Sequence, residues 1–175
     1  MADKMLTLIE SERQLFSDKS AARVYMGGTS MGGMMTLATF MKYAGADPLG
    51  GVVAMFTWTP LDSAYWHSNK AVQSKIPMLR WQGMDDTTIY PANDKMDVDT
   101  NYKGNIYASD LNNVRYVTQA GAVHKMTTEA KNLVKEFLAN PGNLQNLITD
   151  NKTPLGALKL ATGSGLALGV SIMLY

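Results

Sequence analysis

A glycine-rich turn around Ser30 is the segment of this chain whose residue types could do chemistry. Residues 28–32 read Gly-Thr-Ser-Met-Gly, after a β-rich run at residues 23–26. Apolar residues then recur at helical spacing, so the pattern predicts a strand, a tight turn and a helix. A serine at such a tip is held toward a substrate, and the first N–H groups of the helix face a developing oxyanion. The segment predicts a nucleophile elbow; the alternative is a turn that merely carries a serine.

A reactive serine needs a base, and the base needs an acid that orients it. Asp86 lies in a loop after one predicted strand, and His124 lies in a loop after the next. Because the carboxyl ends of parallel strands meet at one edge of a sheet, we expect Ser30, Asp86 and His124 to lie together. Two alternatives stay open: Asp85 or Asp86 is a turn residue or helix cap, and His124 is a helix-start or surface histidine.

Strand and helix patterns alternate along the chain. The predicted strands are residues 23–26, 51–58, 76–81 and 114–118. The predicted helices are residues 4–16, 31–43 and 127–138, with loop and a short helix over 94–113. This alternation predicts an α/β fold in which helices flank a mostly parallel sheet.

The composition excludes several classes of function. The 175 residues carry a net charge of +1 without a basic block, so we expect no nucleic-acid partner. Because cysteine is absent and histidine occurs twice, we expect no disulfide, no metal site and no cofactor. The first residues, Met-Ala-Asp-Lys, lack the apolar core of a signal peptide, which favours a cytoplasmic or organellar location.

Three motifs together resemble an α/β-hydrolase of the acyl-protein thioesterase and carboxylesterase type. They are the Gly-Gly-Thr-Ser-Met-Gly-Gly elbow at 27–33, the Gln-Gly-Met-Asp-Asp turn at 82–86 and the Gly-Ala-Val-His loop at 121–124. The resemblance covers about residues 5–138, corresponding to the C-terminal two-thirds of such a domain. It implies the C-terminal part of an α/β-hydrolase fold.

The resemblance also implies a role for each site residue. The implied roles are nucleophile for Ser30, orienting acid for Asp86, general base for His124 and oxyanion donor for the backbone N–H of Met31. Gln82 departs from the family pattern, which has a non-catalytic histidine there. In the family, further strands and an oxyanion loop precede the first helix, and residues 1–22 do not encode them. We therefore expect another chain or segment to supply the missing half of the sheet.

These features predict a serine hydrolase that cleaves a small acyl ester or thioester through an acyl-Ser30 intermediate. Trp58, Tyr65 and Trp66 are candidate substrate contacts, whereas His67 is expected at the surface or the substrate rim. A different class of protein stays open: a hydrolase-derived structural subunit of a larger, membrane-associated complex. A third, weaker hypothesis is a module that binds an anion at the helix N-terminus, which would leave Asp86 and His124 unexplained.

The end of the chain differs in composition from the rest. We divide the chain into a partial α/β-hydrolase domain, residues 1–142, and an extension, residues 143–175. Within the extension, residues 155–175 carry one charge, Lys159, among small and apolar residues. A run of about 20 such residues is long enough to cross a bilayer. The segment is therefore predicted to contact either a membrane or a protein partner.

Overall fold

A computed structural model of the chain describes residues 1–60, 69–146 and 171–174. Within them, five strands form one sheet in the order β4–β3–β2–β1–β5. The strands are β1 Val24–Thr29, β2 Gly51–Met55, β3 Met78–Gly83, β4 Val114–Gln119 and β5 Ser171–Leu174. Strands β1 to β4 pair in parallel, and β5 pairs antiparallel with β1. The predicted α/β fold with a mostly parallel sheet is confirmed.

Side chains alternate between the two faces of the sheet along each strand. Both faces therefore carry apolar side chains, and helices cover both. The helices are α1 Ala2–Arg13, α2 Met31–Lys42, α3 Lys70–Gln73, α4 Pro91–Asp97 and α5 Thr128–Ala139. On one face, Met26 and Val52 pack with residues of α1 and α2 such as Ile9 and Phe40. On the other face, the adjacent strand residues Tyr25 and Val53 pack with Leu133 and Phe137 of α5.

The chain between α4 and β4 differs from the predicted loop and short helix. Helix α4 continues into a π-helical stretch, Val98–Ile106. Tyr102 and Tyr107 each stack on Phe40 of α2, with ring centroids 6.3 Å apart. The burial of these rings gives the segment a fixed position that local sequence propensity does not encode.

The predicted second strand also ends earlier than expected. It stops at Met55 rather than continuing to Trp58. Phe56 has a φ of +37°, which is outside the strand region of backbone conformation. The chain therefore turns at Phe56, at the carboxyl edge of the sheet.

The structure describes only four residues of the predicted tail segment 155–175. Residues 171–174 form β5, whose backbone pairs with β1 from Val24 opposite Leu174 to Gly27 opposite Ser171. A segment of this chain thus pairs with the edge of β1 that the other strands leave unpaired. Among the helices of the described residues, none has the length and apolar character needed to span a bilayer. The two-part division and a further partner stay predictions.

Candidate active site

Ser30 lies at the turn between β1 and α2. Its backbone has a φ of 52° and a ψ of −123°, a conformation that is costly for a residue with a side chain. Two hydrogen bonds hold the turn: the Ser30 N–H donates to the carbonyl of Met55 at 3.1 Å, and the N–H of Met34 donates to the Ser30 carbonyl at 3.0 Å. Such a strained and fixed turn is the geometry expected of a nucleophile elbow.

Two glycines allow the close backbone approach that this turn requires. A Cβ at Gly28 would lie 2.3 Å from the carbonyl carbon of Gly32, in the first turn of α2. A Cβ at Gly33 would lie 2.7 Å from the Cβ of Thr57. Both separations are shorter than real Cβ contacts, so the elbow packs only if these positions are glycine.

The His124 imidazole bridges Ser30 and Asp86. Its Nε2 lies 2.8 Å from Ser30 Oγ, and its Nδ1 lies 2.8 Å from Asp86 Oδ2. The three residues come from the turn after β1, the loop after β3 and the loop after β4. The edge that joins these loops is therefore the carboxyl edge of the parallel strands.

Asp86 is nearly inaccessible to solvent and accepts four hydrogen bonds. Oδ1 accepts from the N–H groups of Thr88, at 2.8 Å, and Ile89, at 3.0 Å. Oδ2 accepts from Gln82 Nε2 at 2.9 Å and faces His124 Nδ1. Burial alone would raise the pKa of the Asp86 carboxyl, but these four donors outweigh it and hold the pKa below its ordinary value. Asp86 is therefore an ionised acceptor, and it stabilises the local turn as well as contacting His124.

The ionised Asp86 determines the direction of both hydrogen bonds. A carboxylate can only accept, so His124 Nδ1 carries the proton and donates to Asp86 Oδ2. In the tautomer that carries its proton on Nδ1, Nε2 is an acceptor, and the Ser30 hydroxyl donates to it. This arrangement places a basic nitrogen next to the serine proton.

Two contacts to the site were missed by sequence reasoning. The Phe56 ring lies against the His124 ring, with centroids 4.8 Å apart and an interplanar angle of 72°. Gln82, noted only as a departure from the family pattern, donates to Asp86. The nearly continuous apolar run at residues 51–58 predicted a strand through Phe56, and no sequence signal indicated the turn there.

Exposed apolar side chains occur in the turns and loops that carry the site residues, and in the loop after β2. Met31 follows Ser30 as the first residue of α2 and is 66% exposed, and Trp58 is 40% exposed. Met84 and Val123, which were not predicted, are also exposed and lie in the loops that carry Asp86 and His124. The backbone N–H of Met31 is in the first turn of α2, where helix N–H groups have no intrahelical acceptor.

Three of the predicted positions lie outside the described residues: Tyr65 and Trp66, the candidate substrate contacts, and His67. Within the parts of the chain that the structure describes, no group of three or more histidine, aspartate or glutamate side chains could hold a metal ion.

The fold and this arrangement at the strand ends define an α/β-hydrolase. A family model described as phospholipase/carboxylesterase matches residues 2–141. The chain belongs to the phospholipase/carboxylesterase family.

Several solved structures share this fold. SOBER1 of Arabidopsis thaliana superposes with a TM-score of 0.67 at 18% identity, covering 80% of this chain and 62% of that protein. A phospholipase/carboxylesterase of Dyadobacter fermentans gives 0.57 at 18% identity, covering 79% and 64%. Acyl-protein thioesterase 2 of Zea mays gives 0.55 at 20% identity, covering 66% and 55%. The chain thus spans less than two thirds of each of these proteins.

Proposed function

We propose that the protein is a serine hydrolase that cleaves acyl esters or thioesters through a covalent acyl-Ser30 intermediate. The observation that carries the proposal is the continuous hydrogen-bonded series from Ser30 Oγ through the His124 ring to Asp86. Membership of the phospholipase/carboxylesterase family supports the same class of reaction. Similarity to an acyl-protein thioesterase supports including thioesters among the substrates.

The proposed reaction uses each group in turn. His124 Nε2 takes the Ser30 proton while Oγ attacks the acyl carbon, and the imidazolium is stabilised by the ionised Asp86. The tetrahedral oxyanion lies at the N-terminus of α2, where the Met31 N–H donates to it. His124 then protonates the leaving alcohol or thiol, and the same nitrogen later activates water to release the acid.

The proposed acyl group contacts the exposed apolar side chains of the loops around the site. Met31 directly follows Ser30, Trp58 lies in the loop after β2, and Met84 and Val123 lie in the loops that carry Asp86 and His124; all four are exposed. Contact with an acyl chain would remove this surface from water, which favours binding by about 25 cal/mol per Å². Tyr65 and Trp66 stay candidates for the same contact.

A fluorophosphonate probe tests the proposal, because it forms a covalent bond only with an activated serine. We expect labelling of the wild-type chain, no labelling of Ser30→Ala, and full labelling of Ser11→Ala, which removes an exposed hydroxyl on α1. Peptide mass spectrometry would assign the modified residue. Wild type and Ser11→Ala should likewise hydrolyse a p-nitrophenyl acyl ester and an acyl thioester, whereas Ser30→Ala should not.

Failure to label Ser30 in the wild-type chain would contradict the proposal. The prediction of a hydrolase-derived structural subunit would then be favoured, particularly if Ser30→Ala altered neither complex assembly nor stability. Labelling at Ser30 with hydrolysis of esters but not thioesters would restrict the substrate class without overturning the reaction.

A further inference from the structure

The turn that follows β2 contains a strained residue, Phe56, whose ring contacts His124. Phe56 has a φ of +37°, which a bulky aromatic residue rarely adopts. The side chain is buried, and the Phe56 N–H donates to the carbonyl of Trp81 on β3 at 2.7 Å. Strained conformations persist only where the surrounding contacts determine them, and they cluster at functional sites.

The Phe56 ring connects the core to the base. It makes an edge contact with the core residue Trp81, with centroids 6.0 Å apart and an angle of 79°. It makes a closer edge contact with His124, at 4.8 Å and 72°. Because Trp81 is fixed in the core, the Phe56 ring limits rotation of the imidazole, whose Nδ1 and Nε2 must face two different partners.

The next residue fixes the other reacting group. Thr57 is fully buried, and its Oγ1 donates to the Ser30 carbonyl at 2.6 Å. Its Cβ also fills the space that a side chain at position 33 would need, so Thr57 packs directly on the first turn of α2. The carbonyl of Thr57 lies 3.5 Å from Nη2 of the buried Arg80 on β3. Thr57 therefore holds the backbone of the elbow relative to the sheet.

We propose that Phe56 and Thr57 form a positioning pair that sets the distance between Ser30 Oγ and His124 Nε2. Thr57 fixes the serine turn through its hydroxyl, and Phe56 fixes the orientation of the imidazole through its ring. Neither side chain takes part in bond making. Two adjacent residues on one strained turn thus hold Ser30 Oγ within hydrogen-bond distance of His124 Nε2. This inference rests on the proposed hydrolase function.

A matched pair of variants tests Thr57. Thr57→Val keeps the shape but removes the hydroxyl donor, whereas Thr57→Ser keeps the donor. We expect Thr57→Val to lower kcat at least about tenfold with little change in KM, since a misplacement of 1 Å can cost about 10²-fold in rate. Thr57→Ser should retain most of kcat. Equal kcat for wild type and Thr57→Val would overturn the role of Thr57.

The chain has two histidines, so NMR can report on His124 without any assay of activity. A His67→Asn variant assigns the remaining imidazole resonances to His124. We expect Phe56→Leu, which keeps apolar volume but removes the ring, to shift the His124 ring resonances and to lower kcat. Phe56→Tyr, which keeps the ring, should leave both close to wild type.

The outcomes separate this inference from the proposed function. If the wild-type chain neither labels nor hydrolyses, the proposed function fails. If the wild-type chain is active but Phe56→Leu keeps the wild-type kcat, the role of Phe56 fails, because loss of the neighbouring ring alone shifts the His124 resonances. Phe56→Gly separates ring from backbone, because glycine adopts a positive φ without strain. Full activity of Phe56→Leu would show that the aromatic ring is not required and would overturn the inference, whatever the activity of Phe56→Gly.

Discussion

Asp86 connects the chemistry of the site to the stability of the fold. Its carboxylate accepts from two backbone N–H groups of its own loop and from Gln82 on β3, while it also faces His124. Gln82 stands where the family pattern has histidine, yet it supplies a donor to the acid. Because an amide does not titrate, this donor is present at every pH.

The free energy of unfolding should depend on pH in the acid range because of Asp86. The folded-state pKa is below the ordinary value of 3.8, so near that pH the folded state binds fewer protons than the unfolded chain. This stabilisation is complete above the unfolded pKa and is lost as the pH falls through the folded pKa. Urea unfolding measured between about pH 2 and pH 6 would detect it.

Asp86→Asn provides the comparison for this pH dependence. That variant lacks the titrating carboxyl, so its free energy of unfolding should decrease less than that of wild type as the pH falls. Asp85→Asn, an exposed neighbour, should keep the wild-type dependence. We also expect Asp86→Asn to lower kcat by on the order of 10⁴ while Asp85→Asn does not, because an amide stabilises the wrong imidazole tautomer. Parallel acid dependence in all three proteins would contradict the assignment.

At the scale of elements, the elbow depends on the contact between the end of β1 and the first turn of α2. Gly28→Ala would place a methyl group 2.3 Å from backbone atoms of Gly32, and backbone cannot move aside as a flexible side chain can. We expect a loss of unfolding free energy of at least about 2 kcal/mol, together with loss of probe labelling at Ser30. Chemical denaturation and labelling of the same sample measure both effects.

Gly142→Ala is the control for this substitution. A Cβ at Gly142 meets nothing within 4 Å among the described residues, so its stability and labelling should remain near wild type. If Gly28→Ala were as stable and as reactive as Gly142→Ala, the close approach would not be required for the elbow.

The regular elements could be predicted from the sequence because each has a local pattern. Strand β2 is an apolar run, and α2 and α5 show helical spacing of apolar residues; both patterns are visible among neighbouring residues. Once the strands are located, the positions of the loops that follow them are known as well. The π-helical stretch Val98–Ile106 has no such pattern, since its position depends on Tyr102 packing against Phe40 of a distant helix. Tertiary contacts of that kind are not encoded in a window of sequence.

The same distinction applies within the site. Ser30, Asp86 and His124 could be placed together because each follows a strand and the motifs have a known chain order. Phe56 and Thr57 could not be identified, because they lie in an apolar run that predicts a continuous strand. Their contacts with His124 and with the Ser30 carbonyl depend on a turn that this run does not indicate. The positive φ of Phe56 contradicts the local propensity, and such conflicts are expected at functional positions.

At the scale of the whole molecule, a buried ion pair joins α4 to the sheet. Arg80 on β3 and Asp94 on α4 are both buried and paired, and Arg80 Nη1 also lies 3.6 Å from Asp97. Arg80→Met should lower the unfolding free energy by about 3–5 kcal/mol, because it leaves Asp94 buried without its cation. The double variant Arg80→Met with Asp94→Leu should recover much of this loss.

Urea denaturation of both single variants and the double variant gives the coupling energy between the two side chains. A coupling near zero, with additive losses, would contradict a buried charge pair as the link between α4 and β3. Because Arg80 also approaches the carbonyl of Thr57, probe labelling should fall in Arg80→Met even where the fold is retained.

Strand β5 protects the edge of the sheet beside the elbow strand. The backbone of residues 171–174 pairs with β1 from Val24 to Gly27, immediately before the serine turn. An unpaired edge strand exposes a row of N–H and C=O groups that can pair with another chain. Removal of residues 171–175 should therefore promote self-association and lower the melting temperature, which light scattering and thermal unfolding would measure.

A variant with Ile172→Thr and Met173→Thr separates the contribution of backbone pairing from that of the apolar residue types in this strand. Threonine keeps β propensity, so a strand held mainly by its backbone should still cover β1, and the variant should remain less associated than the truncated chain. If the truncated chain were instead monomeric with an unchanged melting temperature, β5 would not protect this edge. Equal self-association of the truncated and double-threonine chains would show that backbone pairing and β propensity alone do not hold the strand against β1.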